Sequence, residues 1–243
     1  IAIVNIIDKN NNIKRQIKVR DSLKFLTKSS KIYRQNINTK IIAITGSCGK
    51  TTLKELLGNS LKKMSKVSVS PKSYNNKYGV PLSLFNLYQK DDYGVLEIGM
   101  DKKGEIDYLS KIVQPDVSVI TNINYAHAKN FKNLKQIALA KSEIINNTKD
   151  NGFIILNADD NFFALHKKVA IRKNLKILSF GIKSKNSNIK LINIKKVAKR
   201  FKATIEIIRP LHCISELSTS VPLAKPNKII LSPIPDNRAT YQL

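Results

Sequence analysis

The stretch Ile41-Ile42-Ala43-Ile44-Thr45-Gly46-Ser47-Cys48-Gly49-Lys50-Thr51-Thr52 decides how this chain is read. A β-branched apolar run enters a turn bracketed by glycines, and a helix-favouring segment, 53–63, follows. That order is a strand, a phosphate loop and a helix N-terminus. Glycines let backbone N–H groups close around phosphate oxygens, and the helix end adds partial positive charge. Lys50 then reaches the β- and γ-phosphates, and the Thr51 hydroxyl sits on Mg²⁺. The match to G-x-x-x-x-G-K-[ST] is incomplete, because Ile44 stands where the first glycine would. The plainer reading is an ordinary strand–turn–helix. Strand, loop and helix in the required order favour the phosphate loop.

Outward from this loop, strand and helix patterns alternate. Strands are expected at 41–45, 66–70, 93–100, 117–122, 153–157 and 177–180, and helices at 51–63, 80–88, 104–113, 134–147 and 161–171. Buried runs separated by helices give an α/β fold of P-loop type, a mostly parallel sheet with helices on both faces. Ligands in such sheets bind at the carboxyl ends of the strands. Before the loop, 1–7 and 13–19 read as short strands, and Asp21-Ser22 caps a helix running to about Arg34. After Gly181, 189–197 and 201–208 read as a strand pair that extends the sheet or forms a small lobe. From Pro210 five prolines interrupt the pattern, and little regular structure is expected.

Composition narrows the function classes. The 243 residues are 42% hydrophobic, enough for a sizeable core. No apolar run spans a bilayer and no signal peptide is seen. Two cysteines, Cys48 and Cys213, make no disulfide framework, so a reducing cytoplasm is expected. The formal charge of +26 invites a nucleic-acid reading. The lysines are spread along the chain rather than gathered in a stripe, so no nucleic acid is expected.

Several polar groups stand at predicted strand ends. Glu97 lies inside an apolar strand, where a carboxylate must be paired or bound to a cation; Mg²⁺ suits it, and a lysine partner is the plainer alternative. His127, one of three histidines, follows a strand end. Lys141 lies mid-helix among small apolar neighbours and on its own reads as a snorkelling surface lysine. Asn157-Ala158-Asp159-Asp160 closes a strand and either caps the next helix or faces a nucleotide or metal. Asn75-Asn76-Lys77-Tyr78-Gly79-Val80-Pro81 is a polar loop suited to an anion or peptide, or to turning the chain.

Taken in order, these segments resemble the Mur ligase family, and within it the branch (MurF type) that adds D-alanyl-D-alanine. The likeness rests on Thr45–Thr52 with Lys54-Glu55, on Asn75–Pro81, and on Glu97-Ile98-Gly99-Met100. Gly104-Glu105-Ile106, Pro115-Asp116, Val119–Ile123 with Ala126-His127, Ala140-Lys141-x-Glu143-Ile144 and Leu156–Asp160 complete it. The resemblance implies an ATP-dependent ligase of peptidoglycan precursor synthesis. It would join D-alanyl-D-alanine to UDP-MurNAc-tripeptide through an acyl phosphate, as a cytoplasmic monomer away from membranes. It assigns Lys50, His127 and Lys141 to catalysis, and Gly46, Ser47, Cys48, Gly49, Lys50, Thr51, Thr52 and Asn157 to ATP. Asn75 and Asn76 fall to the muramoyl substrate. Thr51, Glu97, His127 and a carbamylated Lys141 fall to Mg²⁺. Residues 40–208 would be the central ATP-binding domain, 1–39 the end of the N-terminal substrate domain with its linker, and 209–243 an irregular tail unlike the family. A chain so truncated, lacking the C-terminal Arg and Asp of the family, is expected to bind nucleotide weakly and not to ligate. The competing readings are a P-loop ATP-binding module, and a ligase of the MurE or folylpolyglutamate synthase type.

Overall fold

The computed structural model describes residues 2–7, 15–125, 130–185, 187–197, 200–207 and 228–231. Two short strands, β1 (Ala2–Val4) and β2 (Gln16–Lys18), pair in parallel with each other. The helix α1 (Ser22–Gln35) starts where Asp21 accepts the Lys24 N–H at 2.9 Å, as the capping signal predicts.

The large sheet follows. Its strands are β3 (Lys40–Thr45), β4 (Val67–Val69), β5 (Tyr93–Glu97), β6 (Val117–Ile120), β7 (Phe153–Asn157), β8 (Lys176–Gly181), β9 (Ile189–Val197), β10 (Arg200–Ile207) and β11 (Lys228–Leu231). Between them run α2 (Lys50–Leu61), α3 (Gly79–Phe85), α4 (Glu105–Val113), α5 (Leu134–Asn146) and α6 (Phe163–Arg172). The strand order is β11-β10-β9-β8-β7-β6-β3-β5-β4. The seven strands from β9 to β4 are parallel, while β10 and β11 join antiparallel. The strand pair after Gly181 therefore extends the sheet. β11 corrects the expectation for the stretch after Pro210: Lys228-Ile229-Ile230-Leu231 pairs with the open edge of β10.

Pleating splits the core. Ile41 and Ala43 of β3 face a cluster built with α3, α4, α5 and α6, whereas Ile42 and Ile44 face Leu53, Leu57 and Leu61 of α2. Helices cover both faces, as the continuous apolar strands require. The strand expected over 93–100 ends at Glu97, because the Gly99 N–H donates to the Asn75 carbonyl in another loop.

Two buried cationic or titratable groups tie helices to this frame. Arg34, 3% exposed, donates from Nε to the Val113 carbonyl at 2.7 Å and from Nη2 to Asp116 Oδ2 at 3.0 Å. It also reaches the carbonyls of Ile37, Thr39 and Gln114. His166 of α6 is buried and donates from Nε2 to the Ala138 carbonyl of α5 at 3.1 Å. Burial lowers the His166 pKa, with the bond to Ala138 and the charge of Asp160 opposing and the charge of Lys141 assisting. Below pH 6.5 the unfolded chain therefore takes up a proton that the folded one resists, and stability falls with pH. Urea unfolding at pH 7.0 and 5.5 should show a larger loss for the parent than for His166→Gln. Equal losses would remove His166 from the pH dependence.

Candidate active site

The site forms at the neighbours β3 and β6, whose onward connections, to β4 and to β7, leave in opposite directions. β3 is paired with β5 on one side and β6 on the other, and the chain crosses over it from β5 to β6. Such a switch point opens a crevice at the carboxyl ends of the strands. The loop 46–49 lies there and leads into α2. Gly46 (φ +148°) lies against Thr121 so closely that a Cβ would collide with the Thr121 hydroxyl, and Gly49 (φ +80°) is the helix N-cap. Both positions need glycine.

Loops from β6 frame this turn. Ser47 N–H donates to the Asn122 carbonyl (2.9 Å), Cys48 N–H to Asn122 Oδ1 (3.1 Å), and Thr121 Oγ1 to the Cys48 carbonyl (2.7 Å). Ser47 Oγ donates to the Asn124 carbonyl at 2.9 Å. Asn157, at the end of β7, donates to the Thr121 carbonyl (3.3 Å) and accepts the Asp159 N–H. It supports the frame from behind.

Three charged groups converge on the turn. Lys50 Nζ folds back onto the carbonyls of Gly46 (3.0 Å) and Ser47 (3.3 Å). Lys141 is not at the surface: it is 1% exposed and donates to the same Gly46 carbonyl at 2.9 Å. Its surface reading fails because α5 packs this residue against the sheet. Burial, and then the charge of Lys50, push its pKa down to about 7, with Cys48 opposing. Glu97, 1% exposed, accepts from Thr51 Oγ1 at 2.7 Å on one oxygen and from Asn75 Nδ2 at 2.7 Å on the other. Among the described residues no lysine or arginine pairs with it.

The donor set fits a hard divalent cation. A buried carboxylate without a counter-charge beside a threonine hydroxyl is what Mg²⁺ takes, with water and phosphate completing its shell. The described residues contain no group of three or more His, Cys, Asp or Glu that could enclose a metal by themselves. His127 lies outside the described residues.

A cavity of about 700 Å³ opens beside this centre, lined among others by Lys50, Asn75, Asn76, Gly99, Lys102 and Tyr108. Asn75 lines it while donating to Glu97. Asn76 does a different job, its Oδ1 accepting the N–H groups of Tyr78 (3.1 Å) and Gly79 (3.0 Å) at the start of α3.

Lys54 carries no signal in sequence beyond its place after the loop, yet it is fully buried. Its Nζ donates to the Ser70 carbonyl (2.8 Å) and to that of Lys72, and pairs with Glu55 at 3.1 Å. Ser70 Oγ in turn accepts the Glu97 N–H at 3.3 Å. Lys54 thus clamps the segment that carries Asn75.

A sequence model of the Mur ligase middle domain matches residues 44–222, well over half of the chain. This chain belongs to the Mur ligase family. The UDP-N-acetylmuramoyl-tripeptide–D-alanyl-D-alanine ligase of Buchnera aphidicola subsp. Acyrthosiphon pisum is 45% identical over 163 residues, 67% of this chain and 35% of that protein. A crystal structure of MurF from Acinetobacter baumannii superposes with a TM-score of 0.73 at 34% identity, covering 84% of this chain and 44% of that one. MurF ligase from Thermotoga maritima in complex with ADP gives 0.71 at 32%, covering 82% and 45%. The chain thus spans between about a third and under half the length of these Mur ligases. No helix among the described residues is long and apolar enough to cross a membrane.

Proposed function

We propose that this chain is the ATP-binding part of a Mur ligase that joins D-alanyl-D-alanine to UDP-MurNAc-tripeptide. Residues 40–208 form the body of the central domain; α1 is latched to it through Arg34, and β11 adds a strand to its sheet. The observation that carries the reading is the Thr51–Glu97–Asn75 contact. It joins the phosphate loop, a buried carboxylate and the wall of the cavity within 2.7 Å bonds.

ATP lies with its phosphates on the N–H groups of the loop and the start of α2. Lys50 leaves the Gly46 and Ser47 carbonyls and turns to the phosphates. Thr51 and Glu97, with His127 and a carbamylated Lys141, would hold Mg²⁺, which would supply positive charge between the γ-phosphate and the incoming carboxylate. The lowered pKa of Lys141 leaves a large neutral fraction at pH 7, and the neutral amine is the form that adds CO₂. The cavity takes the muramoyl tripeptide, with Asn75 fixed by Glu97 at its edge. The tripeptide carboxylate takes the γ-phosphoryl group to form an acyl phosphate, and ADP leaves. The amine of D-alanyl-D-alanine then attacks that carbonyl and releases phosphate. The enzyme acts as a cytoplasmic monomer.

Calorimetry tests this with two titrants, Mg²⁺–AMP-PNP and UDP-MurNAc-tripeptide at millimolar concentration. Both should bind, the second more tightly once the first is present. Binding of nucleotide with no response to the tripeptide would instead mark a nucleotide-binding module. A preference for UDP-MurNAc-dipeptide would mark a MurE-type ligase.

A further inference from the structure

The helix α5 touches both halves of the site by different faces. Through Lys141 it holds the Gly46 carbonyl of the phosphate loop. Two residues on, Glu143 reaches the opposite way. Its carboxylate accepts the Gly104 N–H (3.0 and 3.2 Å) and the Asp107 N–H (3.0 Å). Asn147, one turn further along the same stripe, donates to the Asp107 carbonyl and Oδ1 and to Ser110 Oγ.

These amides belong to the first turn of α4, whose N-cap is Gly104 (φ +89°) and which has no capping side chain of its own. Glu143 supplies the cap from another helix. The segment it fixes matters, because residues 99–105 form one wall of the 700 Å³ cavity. Glu105 braces the same wall, accepting the Asp101 and Lys102 N–H groups at 2.6 and 3.1 Å.

The Gly46 carbonyl is shared by two lysine nitrogens, Lys50 at 3.0 Å and Lys141 at 2.9 Å, and the Lys141 nitrogen keeps an N–H for it as ammonium, amine or carbamate. A phosphate in the loop draws Lys50 away and leaves that carbonyl to Lys141. We infer that Glu143 is a positioning residue, through which α5 couples occupation of the phosphate loop to the wall of the acceptor cavity at 101–107. This rests on the proposed nucleotide site and adds to it a route between the two ligands. Glu143 touches neither ligand; it acts through the backbone of α4.

Hydrogen exchange resolved by segment tests the coupling, with and without saturating Mg²⁺–AMP-PNP. In the parent, nucleotide should slow exchange of 101–107 by about fivefold or more. Glu143→Ala should bind nucleotide within about twofold of the parent and lose that slowing. Glu143→Gln, which keeps an acceptor but not the charge, should retain part of it and serves if the alanine variant does not fold. Asn147→Ala loosens the same helix pair away from the cavity and should keep the nucleotide effect, which a merely structural role of Glu143 does not predict. Nucleotide binding without slowing of 101–107, slowing that survives in Glu143→Ala, or equal loss in Asn147→Ala would each overturn the inference while leaving the nucleotide site standing. A parent chain that binds no nucleotide would overturn both.

Discussion

Lys50→Ala should bind Mg²⁺–AMP-PNP at least about 100-fold more weakly than the parent, while its melting temperature hardly moves. The first part follows from removing a desolvated ammonium that faces phosphate, a loss of about 3 kcal/mol, with each 1.4 kcal/mol worth tenfold. The second follows from the ligand-free geometry. Lys50 donates only to the carbonyls of Gly46 and Ser47, and the Gly46 carbonyl keeps Lys141 as a donor after the change. Only the longer contact to the Ser47 carbonyl, 3.3 Å, is lost without a replacement. Calorimetry beside thermal denaturation separates the two effects. Undiminished binding by Lys50→Ala would mean that the loop does not cradle phosphate.

Arg34→Ala should do the reverse and destabilise the fold strongly. The guanidinium is 3% exposed and serves four backbone carbonyls and the Asp116 carboxylate. Asp116 is a hub in turn, its oxygens also taking the Ile41 N–H (2.8 Å) and Lys149 Nζ (2.9 Å). Asp116 keeps those two partners after the change, so the cost falls on the four carbonyls that lose their donor, about 3–5 kcal/mol together. For a chain of this size that lowers the melting temperature by roughly 6–20 °C. Lys24→Ala is the control. Its pairing with Asp21 is long (4.0 Å) and exposed, and its loss should change little. A melting temperature for Arg34→Ala within a degree or two of the Lys24→Ala value would show that α1 is not latched through Arg34.

What could be read from sequence follows from chemistry that has few alternatives. Gly46, Gly49, Lys50 and Thr51 have one common use after a buried strand, and a carboxylate inside Tyr93–Glu97 has to find a partner. Strand and helix alternation from Lys40 to Gly181 fixed the parallel sheet, since unbroken apolar strands need cover on both faces. The partners of Glu97 were half legible: the expectation was a cation held together with Thr51, a lysine being the alternative, and the structure supplies Thr51 and adds Asn75. The contacts of Arg34, Lys54, Lys141 and Glu143 escaped for a shared reason, although the resemblance had marked Lys141 for catalysis and metal binding. A long charged side chain on a helix reads as solvent-facing, and periodicity does not say that its tip returns to a backbone carbonyl or amide 16 to 95 residues away. β11 escaped because a four-residue strand among prolines has no period of its own.

The place of β3 inside the sheet, between β6 and β5, has a kinetic consequence. The centre draws on Gly46, Asn75, Glu97, Thr121 and Lys141, and β3 cannot be flanked on both sides until the chain has reached β6. Parallel pairing closes long loops before any contact rewards it, so high contact order makes such a sheet slow to form. The phosphate cradle is therefore assembled late and all at once. A nascent chain released before α5 would have the glycine loop and no Lys141 to hold it. On the proposed function, nucleotide binds only the finished sheet and would act as a ratchet on folding.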